Sequence, residues 1–173
     1  KRDTACTNPR QFSLRYSPNA RTLNTFLAQD ADKDVNILNI VNNQLCWQQV
    51  TIVRKDLRVN VYLNGQFQSS LGTASRIDLE SEGALYIGGG DCLGGIETPF
   101  SGVIDEVRIY DRALDDDEVA GLFGAPDQIA TSDTIVFQGN SVQVDLNNTC
   151  GTSFAWTPTQ DVFNPDDAEP VID

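Results

Sequence analysis

The chain has 173 residues, of which 40% are hydrophobic and 21% charged, enough apolar mass for one or two globular cores and not the composition of a disordered tail. Twenty-five acidic residues against twelve basic ones give a formal charge of −13, which disfavours nucleic acid phosphates and anionic headgroups as partners and favours cations. Histidine is absent, which removes His-based acid–base work, Ser-His-Asp triads and His-ligated zinc or copper.

In chain order, the opening Lys1-Arg2-Asp3 and the lack of methionine imply a processed or excised piece of a longer parent. No apolar run approaches the roughly 20 residues of a transmembrane helix, so direct membrane insertion is not expected. Cys6, Cys46, Cys92 and Cys150 have no CxxC spacing, which argues against zinc knuckles and thioredoxin-like chemistry. Disulfides formed in an oxidising compartment are the expected state, with three full pairings open and buried free thiols as the alternative.

The first clear element is Trp47-Gln48-Gln49-Val50-Thr51-Ile52-Val53-Arg54, a half-buried strand with Val50 and Ile52 on one face. Leu57, Val59, Val61 and Leu63 then alternate with Arg58, Asn60 and Tyr62 in a strict period of two. Asn64-Gly65 predicts a type I′ turn into Gln66-Phe67-Gln68. A third strand is expected at 84–87, running into Gly88-Gly89-Gly90, and a fourth at 103–110. Asp115, with Glu118 three residues on, predicts a capping box for a short helix whose stripe is Val119 and Leu122 and whose stop is Gly124. Short strands with one late helical turn indicate an all-β antiparallel sandwich.

Four ordered motifs resemble laminin-G-like and pentraxin-like (concanavalin A-like) jelly rolls. They are Trp47 to Val50, Tyr62-Leu63-Asn64-Gly65, Leu85-Tyr86-Ile87-Gly88-Gly89, and Gly102-Val103-Ile104-Asp105-Glu106-Val107-Arg108-Ile109-Tyr110. The resemblance implies a jelly roll over 1–124, shorter than such domains usually run, so its opening strands are expected to lie outside the chain. After a turn-rich linker at 125–132, residues 133–173 resemble the first half of the immunoglobulin-like (PKD-like) repeats of Bacteroidetes-type surface proteins. The carriers are the alternating Val142, Val144 and Leu146, then Phe154-Ala155-Trp156-Thr157-Pro158 and Asn164-Pro165. A half-sandwich leaves Cys150 expected to pair outside the chain.

Asp105 shares a predicted face with Val103, Val107 and Ile109, and a charge there needs a partner. A calcium ion, to which related jelly rolls often bind, is the functional reading; a carboxylate accepting backbone N–H bonds is the bland one. Asp91, beside Gly88, Gly89, Gly90, Gly94 and Gly95, is a second candidate calcium ligand, and that glycine-rich loop is the candidate ligand-binding element. Asp115-Asp116-Asp117 lacks EF-hand spacing and reads as helix-start charge. Asp78-Leu79-Glu80-Ser81-Glu82 departs from the Glu-first pattern of concanavalin A-like glycosidases and reads as a solvated edge or loop. Trp47, Trp156 and Tyr86 invite a sugar platform, though the two tryptophans read better as core. Thr134 and Thr4 sit in an Asp-Thr-aliphatic context resembling the Bacteroidetes O-glycosylation signal, and Asn147-Asn148-Thr149 is an N-glycosylation sequon.

Together these imply a non-catalytic binding or adhesion module of a larger secreted or cell-surface protein. It would recognise a glycan or a surface protein, with flanking domains of the same parent chain as neighbours. The rival expectations are an accessory module of a secreted glycoside hydrolase or peptidase, and a structural spacer in a surface filament or layer.

Overall fold

A computed structural model describes residues 9–41, 46–80, 83–90, 93, 97–147 and 150–173. Three strands precede the first one expected: β1 (Gln11–Ser17), β2 (Thr22–Ala28) and β3 (Asp34–Ile40) form an antiparallel sheet in that order. The sequence reading assigned no strand to residues 11–40, where the first sheet lies. The inward row of β2 is Leu23, Thr25 and Leu27, and that of β3 is Val35, Ile37 and Asn39. Thr25 and Asn39 at buried positions dilute the apolar alternation on which a strand assignment relies.

The second sheet, β4 (Val50–Lys55), β5 (Arg58–Leu63) and β6 (Gln66–Gly72), is an antiparallel meander. Val59, Val61 and Leu63 are buried as their period requires. Asn64 and Gly65, at φ 52° and 72°, make the predicted tight reversal into β6. Leu57, expected to share their buried face, is instead exposed. It sits in the two-residue turn between the paired Lys55 and Arg58, where Asp56 is left-handed at φ 53°.

The two sheets pack face to face. Leu27, Val35 and Ile37 of the first meet Val59 and Val61 of the second, with Ile77 closing the cluster, while Leu23, Val41 and Leu63 form a smaller one. Each such buried aliphatic side chain contributes about 1.5–3 kcal/mol. On the opposite face of the second sheet, Val53 and Tyr62 are covered by Leu114 and by Val119 of α1 (Asp116–Gly121). That helix starts on the predicted capping box, with Glu118 N donating to Asp115 Oδ1 at 2.8 Å and Asp115 N to Glu118 Oε2 at 3.0 Å. Its C-cap is Leu122, two residues before the expected stop at Gly124.

Residues 84–87 and 103–110 have no ladder partner among the described residues, contrary to expectation. Glu106 adopts φ 52°, which interrupts the extended run between Asp105 and Val107. Period-two alternation is a preference for a half-buried pleated surface, and it becomes a strand only where a neighbour takes the backbone N–H and C=O groups.

The C-terminal part forms two small antiparallel sheets. One pairs β7 (Gln128–Ile129) with β9 (Leu146–Asn147); the other has the order β10 (Val162–Phe163), β11 (Val171–Ile172), β8 (Val142–Gln143). The single strand expected through Val142, Val144 and Leu146 is therefore split between two sheets, and the expected linker carries β7. Val144, at the split, is buried and its N–H donates to Pro170 O at 2.9 Å. Cys150 is not left for an outside partner. It is bonded to Cys46 across 104 residues, with Cα atoms 5.8 Å apart, so the bridge ties the C-terminal part to the start of β4.

Candidate ligand-binding cleft

The calcium and loop candidates are placed differently from their sequence reading. Asp105 is exposed, and so are the residues meant to make its face apolar: Val103, Val107 and Ile109 are 73%, 55% and 78% exposed. The face is not buried, so its charge needs no compensating ion. Asp105 Oδ1 accepts the N–H of Glu106 at 2.7 Å, a local bond that stabilises the left-handed turn. Among the described residues no three Asp, Glu or Cys side chains converge as a metal site. Asp91, Gly94, Gly95, Cys6, Cys92 and Thr4 lie outside the described residues. Of the glycine loop, Gly88 takes φ 76° and its carbonyl accepts the Phe100 N–H at 2.7 Å, while Gly90 lies under the Tyr86 ring.

Local geometry places the remaining sequence candidates. Asp78 and Glu80 do not share a strand face; Glu80 N donates to Asp78 Oδ1 at 2.8 Å and Leu79 packs toward the core between them. Trp47 and Trp156 are half-buried, and Trp156 Nε1 donates to Asp167 O at 2.8 Å, while Tyr86 is exposed. Thr134 is exposed, its hydroxyl donating to Ser132 O at 2.8 Å. Asn147 is half-buried and donates to Ala125 O, and the rest of its sequon lies outside the described residues.

A depression that the sequence did not disclose lies at the β4–β5 turn. Arg54 at the end of β4, Asp56 and Leu57 in the turn, and Arg76 in the segment after β6 border it, and it is open to solvent, with a volume of about 530 Å³. The turn is fixed from behind, since Thr73 N donates to Leu57 O at 3.1 Å and Arg58 Nε donates to Ser70 Oγ at 2.9 Å. Arg54 lies across the sandwich wall with Nη2 donating to the carbonyl of Ile77, whose side chain is in the core. Partial burial, and then the neighbouring Arg76, hold the Arg54 guanidinium below its ordinary pKa, with Asp78 opposing them. Arg76 has no ion pair or hydrogen bond among the described residues. No short motif links Arg54 and Arg76, so spacing alone could not have joined them. The usable signal was their placement on either side of a hairpin in an acidic chain.

Residues 3–120 match the family model Laminin_G_3, described as the concanavalin A-like lectin/glucanases superfamily. No curated protein matches. Among solved structures, the chain is similar to an S-layer domain-containing protein of Clostridium thermocellum ATCC 27405 at 20% identity and TM-score 0.42, covering 67% of this chain and 64% of that one. With its two facing antiparallel sheets and a family match spanning both of them, the chain belongs to the concanavalin A-like lectin/glucanase superfamily, in its laminin-G-like branch.

Proposed function

We propose that the chain is a non-catalytic binding module of an extracellular or cell-surface protein, engaging a glycan or another surface protein. The observation that carries this reading is the open cleft at Arg54, Asp56, Leu57 and Arg76, whose volume lies in the range of small-molecule sites and whose walls combine apolar and polar groups. The Cys46–Cys150 bridge supports an oxidising, extracellular setting. The small sheets of residues 128–172 support reading the C-terminal part as an immunoglobulin-like spacer toward flanking domains of the same parent chain.

Immobilised chain is exposed to a panel of polysaccharides and surface proteins, and the same glycans are assayed for released reducing ends. Saturable binding without release is expected. Release by this chain would overturn the non-catalytic reading, and failure to bind any member of the panel would overturn the binding one.

A further inference from the structure

We propose that the peptide bond between Arg108 and Ile109 is a processing site for a trypsin-like extracellular protease, whose cut leaves a two-piece molecule held together by the Cys46–Cys150 bridge. In that step water adds across the bond, so that Arg108 ends as a carboxylate and Ile109 as an amine. The inference concerns maturation of the chain and stands independently of the ligand it binds.

A protease takes its substrate as an extended strand and supplies the backbone hydrogen bonds itself, so it needs consecutive residues whose backbone is not already paired. Residues 103–110 meet that need. Every one of them is exposed, and among the described residues none joins a ladder or a backbone–backbone hydrogen bond. The main-chain bond they do make, Glu106 N to Asp105 Oδ1, lies upstream of the proposed cut. Arg108 is the single basic side chain in this run. It is held by the exposed side chains of Glu106 and Tyr110, and surface contacts of that kind are too weak to keep an arginine out of a protease pocket. Ile109, on the other side of the bond, is 78% exposed.

The other described basic residues are withheld by their surroundings. Arg15, Arg54, Lys55 and Arg58 lie in strands whose ladders tie the backbone, and Arg10 and Lys33 adjoin β1 and β3. Arg21 sits in a left-handed turn, its N–H donating to Pro18 O and its carbonyl accepting the Val41 N–H. Arg76 is exposed but precedes Ile77, whose side chain is in the core. Arg112 forks onto Glu118 at 2.7 and 2.6 Å and precedes Ala113, which packs beside Leu114. A cut after Arg108 leaves both pieces docked. Cys46 lies in one and Cys150 in the other, Leu114 and Val119 still cover Val53 and Tyr62, and the Tyr62 hydroxyl still holds Asp116.

The test is a time course of the native chain with trypsin, read by intact mass and by gel electrophoresis with and without reductant. The first cut within residues 9–173 is expected after Arg108, at least about tenfold faster than any other. One linked species is expected without reductant and two pieces with it. Arg108→Gln should abolish this cut and Arg108→Lys should keep it, and neither should change the melting temperature, because the side chain is exposed. A first cut at another basic residue overturns the proposal, and so does a cut after Arg108 that begins only when urea unfolds the chain. Protection that grows with chain concentration overturns it in favour of copies covering Val103, Val107 and Ile109. Pieces that separate without reductant overturn the two-piece product.

Discussion

The Tyr62 hydroxyl donates to Asp116 Oδ1 at 2.7 Å, joining the middle strand of the second sheet to the first turn of α1 across 54 residues of sequence. The Tyr62 side chain is buried against Val53, Leu114 and Val119, and its ring meets Phe67 edge-on at 5.6 Å. Burial and then the Asp116 hydrogen bond push the phenol pKa up. Tyr62→Phe keeps the ring and removes the bond, so a loss of about 1–2 kcal/mol is expected in urea denaturation. Asp116→Ala should cost a similar amount, and the double variant should cost less than the sum. Additive losses would show that the pair is not coupled.

Thr25 Oγ1 is fully buried and has no hydrogen-bond partner among the described residues. Thr25→Val keeps the β-branched shape and removes the orphaned hydroxyl, so a gain of about 1 kcal/mol is expected in the same measurement. A loss would mean that the hydroxyl is satisfied in solution.

The Cys46–Cys150 bridge closes a loop with a sequence separation of 104. Replacing both cysteines with serine should cost about 4 kcal/mol, chiefly by freeing the unfolded chain. Peptide mapping without reductant should recover 46 and 150 in one linked fragment; finding them in separate fragments would remove the tie between the two parts of the chain.

Glu118 is held at a pKa of about 2 from an ordinary 4.5, first by its hydrogen bonds with Arg112 and then by the Asp115 backbone N–H. A depressed folded pKa means the stabilisation is complete above the ordinary value and is lost as pH falls toward the folded one. The stability gap between the native chain and Glu118→Gln should therefore be constant at neutral pH, shrink below 4.5 and vanish near 2. A gap that widens on acidification would contradict this.

Asp105 is exposed and, among the described residues, bonded only to its neighbour's N–H. Asp105→Ala should change stability by less than about 0.5 kcal/mol. A loss of several kcal/mol would restore the reading of a charge buried on an apolar face.

Sequence alone determined the elements whose signal is local. The β5 alternation from Val59 to Leu63, the Asn64-Gly65 reversal and the Asp115–Glu118 capping box each need only a few consecutive residues and stand as read, whereas Leu57, at the start of the same alternation, lies in a turn. The jelly-roll family was also legible, because its motifs are ordered along the chain. Tertiary structure decided what depends on a distant neighbour. Val103, Val107 and Ile109 alternate like a strand, yet remain exposed without a ladder partner. Thr25 and Asn39 look polar in sequence, yet lie inside because the facing sheet covers them. Cys150 found Cys46, and Arg54 met Arg76, through the fold and not through spacing. Local conformation follows from short-range sterics and hydrogen bonds, whereas burial, bridging and clustered charge follow from which surfaces the chain brings together.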